Sequence, residues 1–157
     1  MSKMIEQSGY DVTISFITKK DLHLRNVLIY LNLNNENNWE LIKTNLLGSY
    51  DNTIIKVYDI DQEFEWYMFL KNASIFVKDD EIKINTFSKF NSYIKAKNKI
   101  NIDQSLKDIS KEIEYYSAKQ NFGLVFDQFI ELNKLKNEQY QLKMIQILNL
   151  MKGGNHE

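Results

Sequence analysis

The sequence predicts an α+β fold: a mostly antiparallel sheet of about five to seven strands in the N-terminal two thirds, packed with one short helix and two or three C-terminal helices. Three observations carry this. Residues 10–16 and 53–102 alternate apolar and polar positions, the period of a half-buried strand. After Asn101 the apolar spacing changes to that of a helix. No internal repeat or Pro/Gly-rich linker separates the two parts, so residues 1–157 are expected to form a single domain. Its sheet-forming region (10–102) and helical region (103–152) would then share a core, because each has an apolar face that needs cover.

Met1 to Gly9 reads as a loose start. Tyr10, Val12, Ile14 and Phe16 alternate with Asp11, Thr13 and Ser15, which gives a first strand. Thr18 to Asp21 suits a turn. Leu22 to Leu33 reads as a strand forming a hairpin with the first. A helix capped by Asp21, with Leu24, Val27, Leu28 and Leu31 on one side, is the other reading. The Asn-rich stretch 32–38 is a loop. Asn38 can cap a short helix carrying Trp39, Ile42 and Leu46, with Gly48 placed to end it.

Thr53 to Ile60 and Phe64 to Lys71 form one long bent strand or a hairpin turning near Asp61-Gln62. Ile54, Tyr58, Ile60, Phe64, Trp66, Met68 and Leu70 hold even positions, and Asp59, Asp61, Glu63 and Glu65 hold odd ones. If the strand is continuous, the spacing puts the apolar set inside and four carboxylates on one outer face. Asn72 breaks the run. Residues 73–77 and 81–87 suggest a hairpin around Lys78-Asp79-Asp80, and 88–92 is a second break. Tyr93 to Ile102 reads as an edge strand, where lysines also discourage further pairing.

Asp103 or Ser105 would cap a helix with Leu106, Ile109, Ile113 and Tyr116 on one face. Asn121 to Gly123 marks a break. Leu124 to Lys136 and Asn137 to Lys152 form two helices, or one long one, since neither proline nor glycine interrupts them. Their apolar band, including Phe126, Phe129, Ile130, Met144 and Leu148, is wider than a simple seam. It fits packing on the sheet or a homodimer through these helices. Gly153 to Glu157 is a tail.

Composition narrows the function. The 157 residues are 43% hydrophobic and 13% aromatic, with a formal net charge of -1, no cysteine and no proline. Disulfides and thiolate chemistry are excluded. The N-terminus has no apolar signal-peptide core, and no apolar run approaches the roughly 18 residues needed to cross a bilayer, so a cytoplasmic protein with no membrane partner is expected. Heavy use of Asn, Ile and Lys suits a low-GC bacterium, a phage or a virus. Arg25 is the only arginine, and arginine supplies the bidentate fork that reads guanine, so sequence-specific DNA recognition is not expected.

Charge is polarised along the chain. Thr53 to Glu81 holds seven acids and three lysines, whereas Ile82 to Ile102 holds five lysines (Lys83, Lys89, Lys95, Lys97, Lys99) and no acid. The acidic set Asp59, Asp61, Glu63 and Glu65 is a candidate docking face for a protein partner. It lacks the glycine-bearing loop that a hard-cation site usually uses, so no metal is expected. The basic set Lys89, Tyr93, Lys95, Lys97 and Lys99, with Phe87 and Phe90 interleaved, could meet a protein or a single nucleic-acid strand. His23 and His156 are the only histidines, and the five glycines make no phosphate-binding loop. No catalytic residues and no cofactor are expected, although carboxylate-pair catalysis stays open. The reading is a non-catalytic protein-binding factor of an accessory, inhibitor or immunity type, docking through a charge-polarised surface. The alternative is a non-sequence-specific single-stranded RNA or DNA binder using the lysines of 83–99.

Overall fold

The computed structural model describes residues 8–17, 20–43 and 45–153. Most of the expected loose start, the Thr18-Lys19 half of the first turn, and the tail from Gly154 with His156 lie outside those residues. The elements in order are β1 (Tyr10–Ser15), β2 (Leu22–Leu33), β3 (Asn38–Leu41), β4 (Leu47–Asp59), β5 (Phe64–Lys78), β6 (Glu81–Asn85), β7 (Tyr93–Lys95), α1 (Asp103–Gln120), α2 (Phe126–Leu148) and β8 (Leu150–Lys152). The class is the expected α+β, a mostly antiparallel sheet in the N-terminal two thirds and two C-terminal helices. The described chain divides into two units. One runs to Ile94 and includes Lys152 and Gly153; the other is Lys95–Met151.

In the first unit the strands close on themselves. β1 pairs antiparallel with β2, β2 with β4, β4 with β5 and β5 with β6, while β6 returns to β1 in parallel. The result is a five-stranded ring, which leaves these strands no open end to the ladder. Its interior is lined by Val12, Ile14, Val27, Ile29, Ile55, Val57, Trp66, Met68, Ile82 and Ile84, all buried in one cluster. Burying each large side chain of this kind stabilises by about 1.5–3 kcal/mol relative to leaving it exposed. Phe90 packs against this core, its ring 6.0 Å from Phe16 and 6.3 Å from Trp66.

The even-numbered apolar face holds in the first half of β5 and fails in β4. Register pairs Val57 with Trp66 and Ile55 with Met68, and cross-strand partners share a face. The odd positions of β4 therefore point inward, and Tyr58 pairs with Glu65 on the outside. A hairpin turn over 60–63, with Glu63 at φ 50°, separates the two strands. β5 then runs on through Asn72, whose φ of 47° marks where its buried set steps from Trp66, Met68 and Leu70 to Ala73, Ile75 and Val77.

In place of the short helix expected from Asn38 to Gly48, residues 38–41 form β3 and Leu47 begins β4. Asn34 and Asn35 take φ values of 58° and 54°, a left-handed pair that asparagine tolerates better than most residues. The chain reverses there, and β3 pairs with β2 from Leu33↔Asn38 to Tyr30↔Leu41. Gly48 lies inside β4, against the Tyr50 ring, rather than at a helix end. The ambiguous stretch 22–33 is the favoured strand. The expected edge strand 93–102 is reduced to the three residues of β7.

The second unit is a helical hairpin with an N-terminal arm. α1 starts at Asp103 behind Ile102, which makes no side-chain cap, so neither Asp103 nor Ser105 caps the helix; the Asp103 amide donates to Asn101 Oδ1 at 3.0 Å. α2 is one uninterrupted helix across residues 136–139, the long-helix alternative. Gln139 Nε2 donates to Ser110 Oγ at 3.2 Å, which ties the two helices. Gly123, at φ 92°, makes the bend between them. Asn149 ends α2 in the left-handed conformation, φ 55°. Its side chain accepts from the Ile100 amide at 2.7 Å and donates to the carbonyls of Ala96 and Asn98 at 3.3 and 3.2 Å. One side chain thus templates the arm over residues 96–100.

Candidate functional site

The four carboxylates of the expected acidic face do not share a face. Asp59 pairs with Phe64 at the end of β4, and its Oδ1 accepts the Gln62 amide at 3.1 Å, bracing the turn. Asp61 lies in that turn and accepts from Asn26 Nδ2 at 2.8 Å. Glu63 also lies in the turn. Glu65 stands on the outer face beside Lys56, 3.7 Å away, and accepts the Tyr67 hydroxyl at 2.8 Å. The cause is the four-residue turn over 60–63, which makes odd positions of β4 face even positions of β5. Three of the four carboxylates support local structure.

Around Glu65 the outer face carries an aromatic cluster. Lys56 Nζ lies 4.6 Å from the Tyr30 ring centroid and 5.1 Å from that of Trp39, close enough for cation–π attraction. Trp39 packs on Tyr67 at 5.5 Å. Burial, then the bond to Glu65, holds the Tyr67 hydroxyl well above the ordinary phenol range. Glu65 and Lys56 are therefore engaged by their own molecule.

The basic set is likewise divided. Lys89 and Tyr93 belong to the first unit, and Lys95, Lys97 and Lys99 to the second. Tyr93 packs edge-on against Phe69 at 5.1 Å, and burial raises its hydroxyl pKa. A ring held this way is not a free stacking platform. Lys95 Nζ donates to the Leu148 carbonyl at 2.6 Å, where a cation offsets the negative end of α2. Lys97 and Lys99 are exposed on the arm that Asn149 shapes. His23 pairs with Thr13 across β1 and β2, its Nδ1 3.2 Å from Thr13 Oγ1.

Two further features bear on binding. A cavity of about 580 Å³ in the first unit is lined in part by Leu31, Trp39, Lys43, Leu46 and Tyr50. Among the described residues, no group of three or more His, Asp or Glu side chains is placed to hold a metal ion, and no helix is long and apolar enough to cross a membrane.

The other feature is at the bend of the helical hairpin. Phe122 is 92% exposed, Phe126 76% and Val125 65%, with Phe129 and Ile130 about half exposed. Leu132 and Leu135, further along α2, are buried. The geometry follows from helical spacing: residues 126, 129 and 130 stand on one side of α2, and 132 and 135 turn toward another. Aromatic side chains bury about 150–250 Å² each when covered. Here several neighbouring ones are left in water. The sequence predicts a broad apolar face over Val125, Phe126, Phe129, Ile130 and Leu132 that does not separate the covered side from the open one, and it puts Phe122 in the break before it. The signal was present in Phe122-Gly123-Leu124-Val125-Phe126, an uncharged run on both sides of the one helix break.

Comparison with known proteins follows the same division of the chain. Residues 11–91 match the family described as UU051 N-terminal domain, and residues 103–153 match the family described as Uncharacterised protein UU051 C-terminal domain. The chain is 34% identical over 149 residues to the Uncharacterized protein UU051 of Ureaplasma parvum serovar 3, covering 91% of this chain and 88% of the relative. With matches to both domains in order and along nearly its whole length, the chain belongs to the UU051 family.

Proposed function

We propose that the protein is a non-catalytic protein-binding factor that docks through the open apolar end of its α1–α2 hairpin. The observation that carries this reading is the exposure of Phe122, Val125 and Phe126 together at one bend. Protein interfaces concentrate aromatic residues and deplete charge at their centre, and residues 122–126 contain two phenylalanines and no charge. The charge-polarised docking surface draws less support, because the acidic residues are dispersed and partly engaged. Single-strand nucleic-acid binding also draws less, with Tyr93 packed and Lys95 bonded to a carbonyl. The same reading has the protein act in the cytoplasm, and recovery in a membrane or secreted fraction would contradict that.

The test compares three forms of the tagged full-length chain in its native host: the wild type, Phe122→Ser with Phe126→Ser, and Asp59→Lys with Glu65→Lys. The proposal expects one co-purifying protein, which can be an untagged copy of this chain, to be identified by mass spectrometry, lost with the serine pair and kept with the lysine pair. The reverse pattern would restore the acidic surface. Retention of the wild type on an oligonucleotide column at low salt, lost when Lys97 and Lys99 become Glu, would instead favour nucleic acid.

A further inference from the structure

We infer that the open end of the hairpin is covered by the same surface of a second copy of this chain. This rests on the docking reading above and names its occupant. Phe122, Val125, Phe126, Phe129 and Ile130 are all 47% or more exposed. Taking about 150–250 Å² for a large side chain, they present roughly 600 Å² of mostly apolar surface. That is the upper end for the largest patch on an ordinary monomer, about 300–600 Å². It is also most of the approximately 800 Å² that each partner contributes to a standard interface. A two-fold contact uses one patch twice, so no second, unrelated surface is required. Each copy would lay the 126/129/130 side of its α2 against that of the other.

The charges around the patch also fit. From residue 119 to residue 134, the stretch that holds the patch, the charged residues are Lys119, Asp127, Glu131 and Lys134, two of each sign, so two copies meet without net repulsion. An anionic lipid surface would instead call for a cluster of Lys and Arg at the rim. The patch lies where α2 begins; later in the same helix Met144 and Leu148 are buried, and Ile147 is about half exposed.

Sedimentation of the full-length chain between about 5 and 200 µM tests the inference, a range that brackets the micromolar affinity expected at the small end of specific interfaces. The wild type is expected to shift to a dimer. Phe126→Glu with Ile130→Glu is expected to weaken the association at least about tenfold, as loss of central contacts does. Both positions are exposed, and a circular-dichroism melt confirms that the variant folds. Because the chain has no cysteine, a single Phe126→Cys reports only contact between copies, and oxidation should link it faster than a Lys83→Cys control. A wild type that stays monomeric throughout overturns the inference. So does a dimer that the glutamates leave intact and that Phe126→Cys fails to link. If the wild type is monomeric yet loses its co-purified protein with Phe122→Ser and Phe126→Ser, only the self-association fails; if that capture is also unaffected, the docking reading fails with it.

Discussion

Asn26 Nδ2 donates to Asp61 Oδ1 at 2.8 Å, from a backbone held at φ 55° in the middle of β2. The same side chain accepts the Gly9 amide at 3.1 Å through Oδ1, and the backbone carbonyl of Asn26 accepts from the Ile60 amide. A residue that looked like part of a recognition surface, Asp61, is thus one end of a brace between a strand and the following hairpin. Asparagine suits the position twice over, since it tolerates the left-handed region and carries both a donor and an acceptor.

Asn26→Ala should therefore destabilise by about 2–4 kcal/mol, the sum of lost hydrogen bonds near 1 kcal/mol each and the left-handed penalty of an alanine. Asn26→Gly removes only the bonds and should cost about 1–2 kcal/mol. Asp61→Ala, at an exposed position, should cost about 1 kcal/mol or less. Urea unfolding midpoints give the order directly. Equal effects for Asn26→Ala and Asp61→Ala would show that the backbone conformation carries no strain.

Asn149 has the same double role in the second unit. Asn149→Gly keeps the left-handed turn and the backbone bond from the Ala96 amide but releases the Ala96 and Asn98 carbonyls and the Ile100 amide. Amide exchange at Ile100 should accelerate by at least about tenfold, the change expected from losing one bond worth roughly 1.4 kcal/mol. Amides in the middle of α1 should slow or quicken far less. Unchanged exchange at Ile100 would mean that the arm holds its shape without this side chain.

Tyr140 gives a prediction in pH. Burial pushes its hydroxyl up to about 12 from the ordinary 10.0. The folded state then keeps a proton that the unfolded chain gives up between those values, so unfolding releases a proton and stability falls as pH rises through that window. Below pH 10 the contribution is complete. Absorbance at an alkaline-sensitive tyrosine wavelength should show a late ionisation near 12. Tyr140→Phe should remove it and flatten part of the fall in unfolding midpoint. A Tyr140→Phe titration identical to the wild type would contradict the assignment.

The sequence made local alternation and helical periodicity plain, and long-range closure was invisible to it. β1, the 78–81 hairpin and the start of α1 followed from spacing and turn residues alone. The even-numbered apolar set does not continue from β5 into β4, because a turn of even length between two strands inverts which numbers share a face; Ile54 is buried all the same, paired with buried Phe69. The helix expected from Asn38 gave way to a strand because two asparagines upstream adopt left-handed φ values, and the backbone there is set by pairing with β2. The parallel return of β6 to β1 joins residues about seventy apart, which no window of sequence displays. The candidate site was hidden for a related reason. Phe126 and Leu132 are equally apolar, and only packing distinguishes the side of α2 that is covered from the side that is not.

A photo-crosslinking amino acid placed at position 126 in the full-length chain, irradiated in the native host, tests the central claim most directly. The account predicts a covalent protein adduct at 126 and none when the same group replaces exposed Lys83 on β6. Equal labelling at both positions, or no protein adduct at 126, would contradict it.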